Sequence, residues 1–200
     1  MRKLGVHLMV WSGQVGDEEL ALLPQIKKMG YDGVEIPIFD PDSLDVSAIR
    51  SSLQDCGLSC TTSTALPDGI NLIDSNTSVG GVRWLQSVVR KAAELGASIL
   101  CGPMLVPVGE LRGRGYTSDE WALSVQSLQE VGKTAEENGV TLALEPLNRF
   151  ETFMINTVAD GVRLMEQVNH PSIGLLLDTF HMHIEEKSTP DAIRLAKQSQ

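Results

Sequence analysis

The sequence predicts an α/β fold built on a parallel sheet, and three observations carry that expectation. Short runs rich in Val, Ile and Leu alternate with longer amphipathic stretches. Glycine punctuates the ends of the amphipathic stretches, where helices prefer it. The apolar runs also lack the strict alternation of a half-solvated sheet, as strands covered on both faces by crossover helices do. Six βα units can be counted, and 200 residues suffice for one sizeable core and a single domain over 1–200.

In order, "LGVHLMV" (4–10) reads as the first strand, and "DEELALLPQIKKMG" (17–30) as an amphipathic helix closed by Gly30. "DGVEIPI" (32–38) is the second strand, followed by a helix near 45–56 that Gly57 ends. "LSCTTST" (58–64) leads to a helix from Ser78 to Leu95 stopped by Gly96, and "SILCG" (98–102) passes through a Gly/Pro-rich loop into a helix from Ser118 to Asn138 before Gly139. Ser118 with Glu120, and Thr189 with Pro190, have the composition of helix starts. "VTLALE" (140–145) and "IGLLLD" (173–178) are the fifth and sixth strands, with helices near 157–168 and 190–199.

Two architectures accommodate six such units: a doubly wound open sheet, or the first six units of a (β/α)₈ barrel. The dinucleotide fold loses its best local sign, because "VWSGQVGDEE" and not G-x-G-x-x-G follows the first strand. Polar residues gather instead where several strands end: Trp11, Ser12, Glu35, Ser63, Thr64, Glu145 and Asp178. A barrel assembles its site at that face from many strands, so the barrel is favoured.

Composition bounds the function. Apolar content of 42% with 21% charged residues is that of an ordinary globular chain, and no apolar run reaches membrane-helix length. A formal charge of −10 argues against a sequence-independent grip on nucleic acid and against an anionic membrane surface. Cys56, Cys60 and Cys101 are odd in number, form no C-x-x-C pair and read as small buried hydrophobes. With no secretory leader at "MRKLGVHLMVW", they suggest a reducing, cytoplasmic setting.

The chemistry concentrates in "LALEPLNRFE" and "IGLLLDTFHMHIEE", where apolar strands run into Glu145 and Asp178. An unpaired buried carboxylate costs several kcal/mol, so such groups are paired, hydrogen-bonded, neutralised or bound to a cation. Neighbouring parallel strands lie about 4.8 Å apart, which brings two inward carboxylates at one height close together. A divalent cation between them is one answer; capping of the following helices, or pairing with Arg149, is the other. Asn148, Arg149 and Glu151 follow Glu145 in a loop, and His181 lies three residues beyond Asp178 in what reads as a second loop. Together they suit a polyol, whereas His183 reads as a satisfied or exposed loop histidine.

On "LALEPLNRFE", "LLLDTFHMHIEE" and the "AAELGA" before the fourth strand, the chain resembles the xylose-isomerase-like barrels, and within them the ketose 3-epimerases of the D-tagatose/D-psicose (allulose) type. The resemblance implies a (β/α)₈ barrel around one divalent metal, Mn²⁺ foremost, with Co²⁺ or Mg²⁺ as alternatives. It makes Glu145 and Asp178 metal ligands and Glu145 the base that takes the C3 proton, giving a metal-stabilised enediolate. Glu151 and His181 would hold the sugar's hydroxyls and carbonyl end, with Trp11 and Ser63 at the pocket wall. The partner implied is a small ketose or sugar phosphate; a homo-oligomer is compatible with it.

That family draws two further metal ligands, His and Glu, from strands seven and eight, whereas six units are counted here. The expectation is therefore a partial barrel, a fragment of a longer epimerase with little turnover of its own; completion by a partner, or a non-catalytic carbohydrate-binding relic, are the other readings. Hydroxypyruvate isomerase-like and inositol-catabolism dehydratase-like enzymes share the strand-end ligands. Arg112 and Arg114 in "ELRGRGYT" read as solvated loop charges, with a substrate phosphate as the alternative.

Overall fold

The structure, a computed structural model, describes residues 2–198. Six parallel strands form one sheet in the order β1-β2-β3-β4-β5-β6: β1 Gly5–His7, β2 Gly33–Pro37, β3 Ser59–Ser63, β4 Ile99–Gly102, β5 Thr141–Leu144 and β6 Ile173–Leu175. Sequence order equals spatial order, as in a barrel wall and unlike a doubly wound sheet, whose order reverses at a switch point. Among the described residues β1 and β6 each pair on one side only, so the barrel is not closed.

The helices are α1 Asp17–Leu20, α2 Leu23–Lys28, α3 Val46–Cys56, α4 Ser78–Leu95, α5 Ser118–Glu137, α6 Val158–Val168, α7 Thr179–Glu185 and α8 Thr189–Gln198. The single helix expected over 17–30 is two: Pro24 offers no N–H, and Leu22 N–H bonds to Glu19 instead of continuing the ladder. The first strand is shorter than expected because Leu8–Val10 coil into a 3₁₀ turn capped by His7. The fifth helix starts one residue earlier in its cap than expected: Thr117, not Ser118, closes the capping box with Glu120. Residue 199 of the expected last helix lies outside the described residues. The glycine stops behave as read, with Gly30, Gly57, Gly96 and Gly139 all at positive φ.

The largest difference is α7. The segment after Asp178 was expected to be a loop, yet it is a helix because Asp178 Oδ1 accepts the Phe180 N–H at 2.7 Å and caps it. Its apolar side, through Met182, joins Val158, Val162, Ala192 and Ala196 in a small core beneath β6. The main core lies between sheet and helices, from Leu8, Leu23 and Ile36 through Leu85 and Leu100 to Leu128, Leu142 and Leu164. Among the described residues no helix is long and apolar enough to cross a membrane.

At the end of β4, Gly102 sits at φ +128, and a Cβ there would stand 2.1 Å from the Thr64 carbonyl oxygen. The same residue's carbonyl accepts the Glu145 N–H at 3.1 Å, so this close approach sets the height of the most important side chain. Gly102→Ala is expected to destabilise the fold by about 2 kcal/mol in urea unfolding, through backbone strain and overpacking together.

Candidate active site

Glu145 leaves β5 at the carboxyl rim of the sheet, and Asp178 stands in the segment that follows β6. Ligand atoms of Glu145, Asp178 and His181 all lie within 4.8 Å of one another. His181 Nε2 is 3.6 Å from Glu145 Oε1 and 3.8 Å from Asp178 Oδ2. Sequence spacing brought the two acids together; α7 turns His181 back over them.

The alternative of helix capping is half right. Asp178 spends Oδ1 on the α7 cap, but its Oδ2 faces His181. The alternative of pairing with Arg149 is not what the chain does. Arg149 makes a two-pronged ion pair with Glu185, its Nη2 2.8 Å from Oε2 and its Nε 2.9 Å from Oε1, and its backbone N–H also donates to Oε1. Among the described residues His181 is the only basic side chain within 4 Å of the Glu145 carboxylate.

The consequence is electrostatic. Burial pushes the Glu145 carboxyl up to about 7, helped by the charge of Asp178 and, further off, by Glu35 and Glu151. A group tuned there exchanges protons near neutrality, or gives its proton up to a cation. The two carboxylates fit a hard divalent ion, and the imidazole stands beside them.

Glu151 and His181 are joined by Asn148, which is only 1% exposed. Asn148 Nδ2 lies 2.7 Å from Glu151 Oε1 and 3.0 Å from His181 Nδ1. The sequence places Asn148 in the loop after Glu145, but its spacing gives no sign that it links these two. Ser63 is buried and lies 2.7 Å from His7 Nε2. The Met9 N–H occupies His7 Nδ1 at 2.9 Å, so Nε2 donates to Ser63 Oγ and the hydroxyl keeps its own hydrogen for another acceptor. Trp11 is 46% exposed, beyond the 3₁₀ turn.

Glu35, expected near a strand end, lies inside β2 and accepts from Thr61 Oγ1 at 2.8 Å and Cys101 Sγ at 3.1 Å. Burial, with Glu35 beside it, pushes the Cys101 thiol up, so that thiol is a hydrogen-bond donor rather than a nucleophile. Cys56 and Cys60 are half-buried and, like Cys101, free. Cys101 is thus buried, as expected, with a hydrogen bond to Glu35 besides, whereas Cys56 and Cys60 are only partly covered. Arg114 is exposed, as expected, and Arg112 is half-buried, but both are paired: Arg112 with Glu110 and Glu120, and Arg114 with Glu120. Hydrogen bonds from Arg114, together with those of Thr117 and Arg112, hold the Glu120 carboxyl down at about 2. His183 is exposed, as expected, though on α7 and not in a loop.

A family profile described as xylose isomerase-like TIM barrel matches residues 23–199. The chain is 36% identical to an L-ribulose 3-epimerase of Mesorhizobium japonicum over 199 residues, covering 98% of this chain and 67% of that one. It is 33% identical to a ketose 3-epimerase of Arthrobacter globiformis over 187 residues, covering 92% and 64%. Among solved structures it superposes with a TM-score of 0.92 on a D-allulose 3-epimerase from Methylomonas sp. in complex with D-allulose, at 29% identity, covering 98% of this chain and 69% of that one. The chain spans about two thirds of the length of these relatives.

Proposed function

The chain belongs to the xylose isomerase-like TIM barrel family, and from that premise we propose that it carries the proton-abstracting part of a metal-dependent ketose 3-epimerase. The observation that supports this reading is the convergence of Glu145, Asp178 and His181 within 4.8 Å at the carboxyl rim of the sheet. Glu145 and Asp178 would hold the metal, Mn²⁺ foremost. When bound, the ion would supply Lewis acidity that acidifies the C–H bond beside the substrate's carbonyl.

The chain's own residues then divide the work. Glu145 takes the proton from C3, and the electron pair of that C–H bond moves to the neighbouring carbonyl, giving an enediolate. His181, facing Glu145, donates a hydrogen bond to the oxygen on which charge develops. Glu151 accepts from a substrate hydroxyl and fixes the sugar's rotation. Ser63 offers its hydroxyl hydrogen further along the pocket, and Trp11 forms an outer wall. Return of a proton to the opposite face of C3 completes inversion. We assign that step to a group beside the unpaired edges of β1 and β6, and we expect the 200-residue chain alone to epimerise poorly.

A free ketose fits better than a phosphorylated one, because Arg112 and Arg114 are already neutralised by Glu110 and Glu120. The L-ribulose and D-allulose of the relatives' names are therefore the first substrates to try. A cytoplasmic setting suits the three free thiols.

Proton abstraction is separable from inversion, and this gives the test. With Mn²⁺ in D₂O, the chain is expected to wash deuterium into C3 of D-allulose or L-ribulose, read by NMR. No exchange above the metal-only control would overturn the proposal, and full epimerisation at ordinary rates would overturn the assignment of the second step. Asp178→Asn is expected to weaken Mn²⁺ binding at least tenfold by calorimetry, and unchanged affinity would favour a sugar-binding role. Glu185→Gln is expected to slow exchange about tenfold, because the Arg149–Glu185 pair fastens the Glu151 loop to α7.

A further inference from the structure

We propose that Asn148 is a positioning residue which decides the ring nitrogen of His181 that carries the hydrogen, and which aims Glu151 at the same time. The inference rests on the epimerase reading for its kinetic consequence, but its structural content stands on hydrogen bonds alone.

The Asn148 amide has one consistent orientation. Its Oδ1 accepts the Phe150 N–H at 3.0 Å, so Nδ2 is the end that faces Glu151 Oε1 at 2.7 Å and His181 Nδ1 at 3.0 Å. A carboxylate oxygen only accepts, so one amide hydrogen goes to Glu151 and the other points at the imidazole. The Asn148 backbone N–H also donates to His181 Nδ1, at 3.2 Å. Two N–H groups converge on Nδ1, which must therefore present its lone pair. In the neutral ring the hydrogen then sits on Nε2.

That nitrogen faces the two acids, at 3.6 Å from Glu145 and 3.8 Å from Asp178. An Nε2–H has no lone pair to offer a cation. Proximity alone admits His181 as a third ligand beside Glu145 and Asp178. The hydrogen-bond pattern makes it a donor to oxygen instead. Asn148 and His181 are buried, at 1% and 7% exposure, so water does not readily replace the amide in this role.

The test exchanges a donor for an acceptor of the same shape. Long-range ¹H–¹⁵N NMR of the Mg²⁺-loaded, ¹⁵N-histidine-labelled chain reads the tautomer, and the His181→Gln variant assigns the signal among the four histidines. The expected result is an Nε2–H His181 in the parent chain and loss of that tautomer in Asn148→Asp. Deuterium exchange at C3 of D-allulose is expected to slow about 30-fold in the variant, with KM moved much less. A parent chain with the hydrogen on Nδ1, or Asn148→Asp with the parent tautomer and exchange rate, would overturn the proposal. If Asn148→Asp does not fold, Asn148→Ala serves: it removes the side-chain donor without setting an acceptor against Nδ1, so it should give a mixed tautomer signal and a smaller loss, and an unmixed parent signal with unchanged rate would count equally against the proposal. A parent chain that shows the Nε2–H tautomer yet exchanges no deuterium would sink the epimerase reading and leave the role of Asn148 intact.

Discussion

Glu145→Gln is expected to slow metal-dependent deuterium exchange at C3 of D-allulose by about a thousandfold. A positioned general base contributes roughly 10² to 10⁴ in rate, and glutamine keeps the shape while removing the basic oxygen. The same change removes a charged ligand, so Mn²⁺ affinity should fall with it. To separate the two losses, exchange is measured at saturating Mn²⁺, where only the missing base counts. A variant that keeps more than a tenth of the parent rate under those conditions would assign the abstraction to another group.

Without metal, the chain is expected to lose stability as pH rises from about 5 to about 8. The Glu145 carboxyl is pushed up to about 7 in the fold by burial first and the Asp178 charge second, against an ordinary 4.5. Between those values the folded chain holds a proton that the unfolded chain has released, so folding becomes less favourable with every step up in pH. The full loss is about 3 kcal/mol, complete once the folded carboxyl has ionised. A divalent ion binds the ionised form, so saturating Mg²⁺ should restore stability most at the alkaline end. Urea unfolding at several pH values in a chelating buffer reads the slope, and Glu145→Gln should flatten it. A parent chain whose metal-free stability is level from pH 5 to 8 would show that the carboxyl is not buried beside a second acid as described.

The two expectations share a cause that the linear sequence already carries. An apolar run such as "VTLALE" has one charged residue, at its end, and in a parallel sheet that end is the rim where sites form. Glu145 and Asp178 were legible for that reason, as were the strand order and the glycine stops. His181 was legible as a neighbour in sequence but not as a helical residue. Its helix is seven residues long and depends on the Asp178 cap and on Met182 packing against α6 and α8. Propensity over so short a span says little, and tertiary burial decides it.

What the sequence determined by itself is periodicity and punctuation: six parallel strands, most of the helices between them, and two acids just beyond neighbouring strands, Asp178 three residues past the end of β6. These are local properties, written every two or every 3.6 residues, and they survive without knowledge of any partner. Which polar groups meet was decided only in three dimensions. Arg149 takes Glu185 across 36 positions and not Glu145, and Asn148 reaches His181 across 33. Arg112 and Arg114 spend their charge on Glu110 and Glu120, and Cys101 donates to Glu35. Such pairings depend on distance and desolvation at the end of folding, which no spacing along the chain encodes.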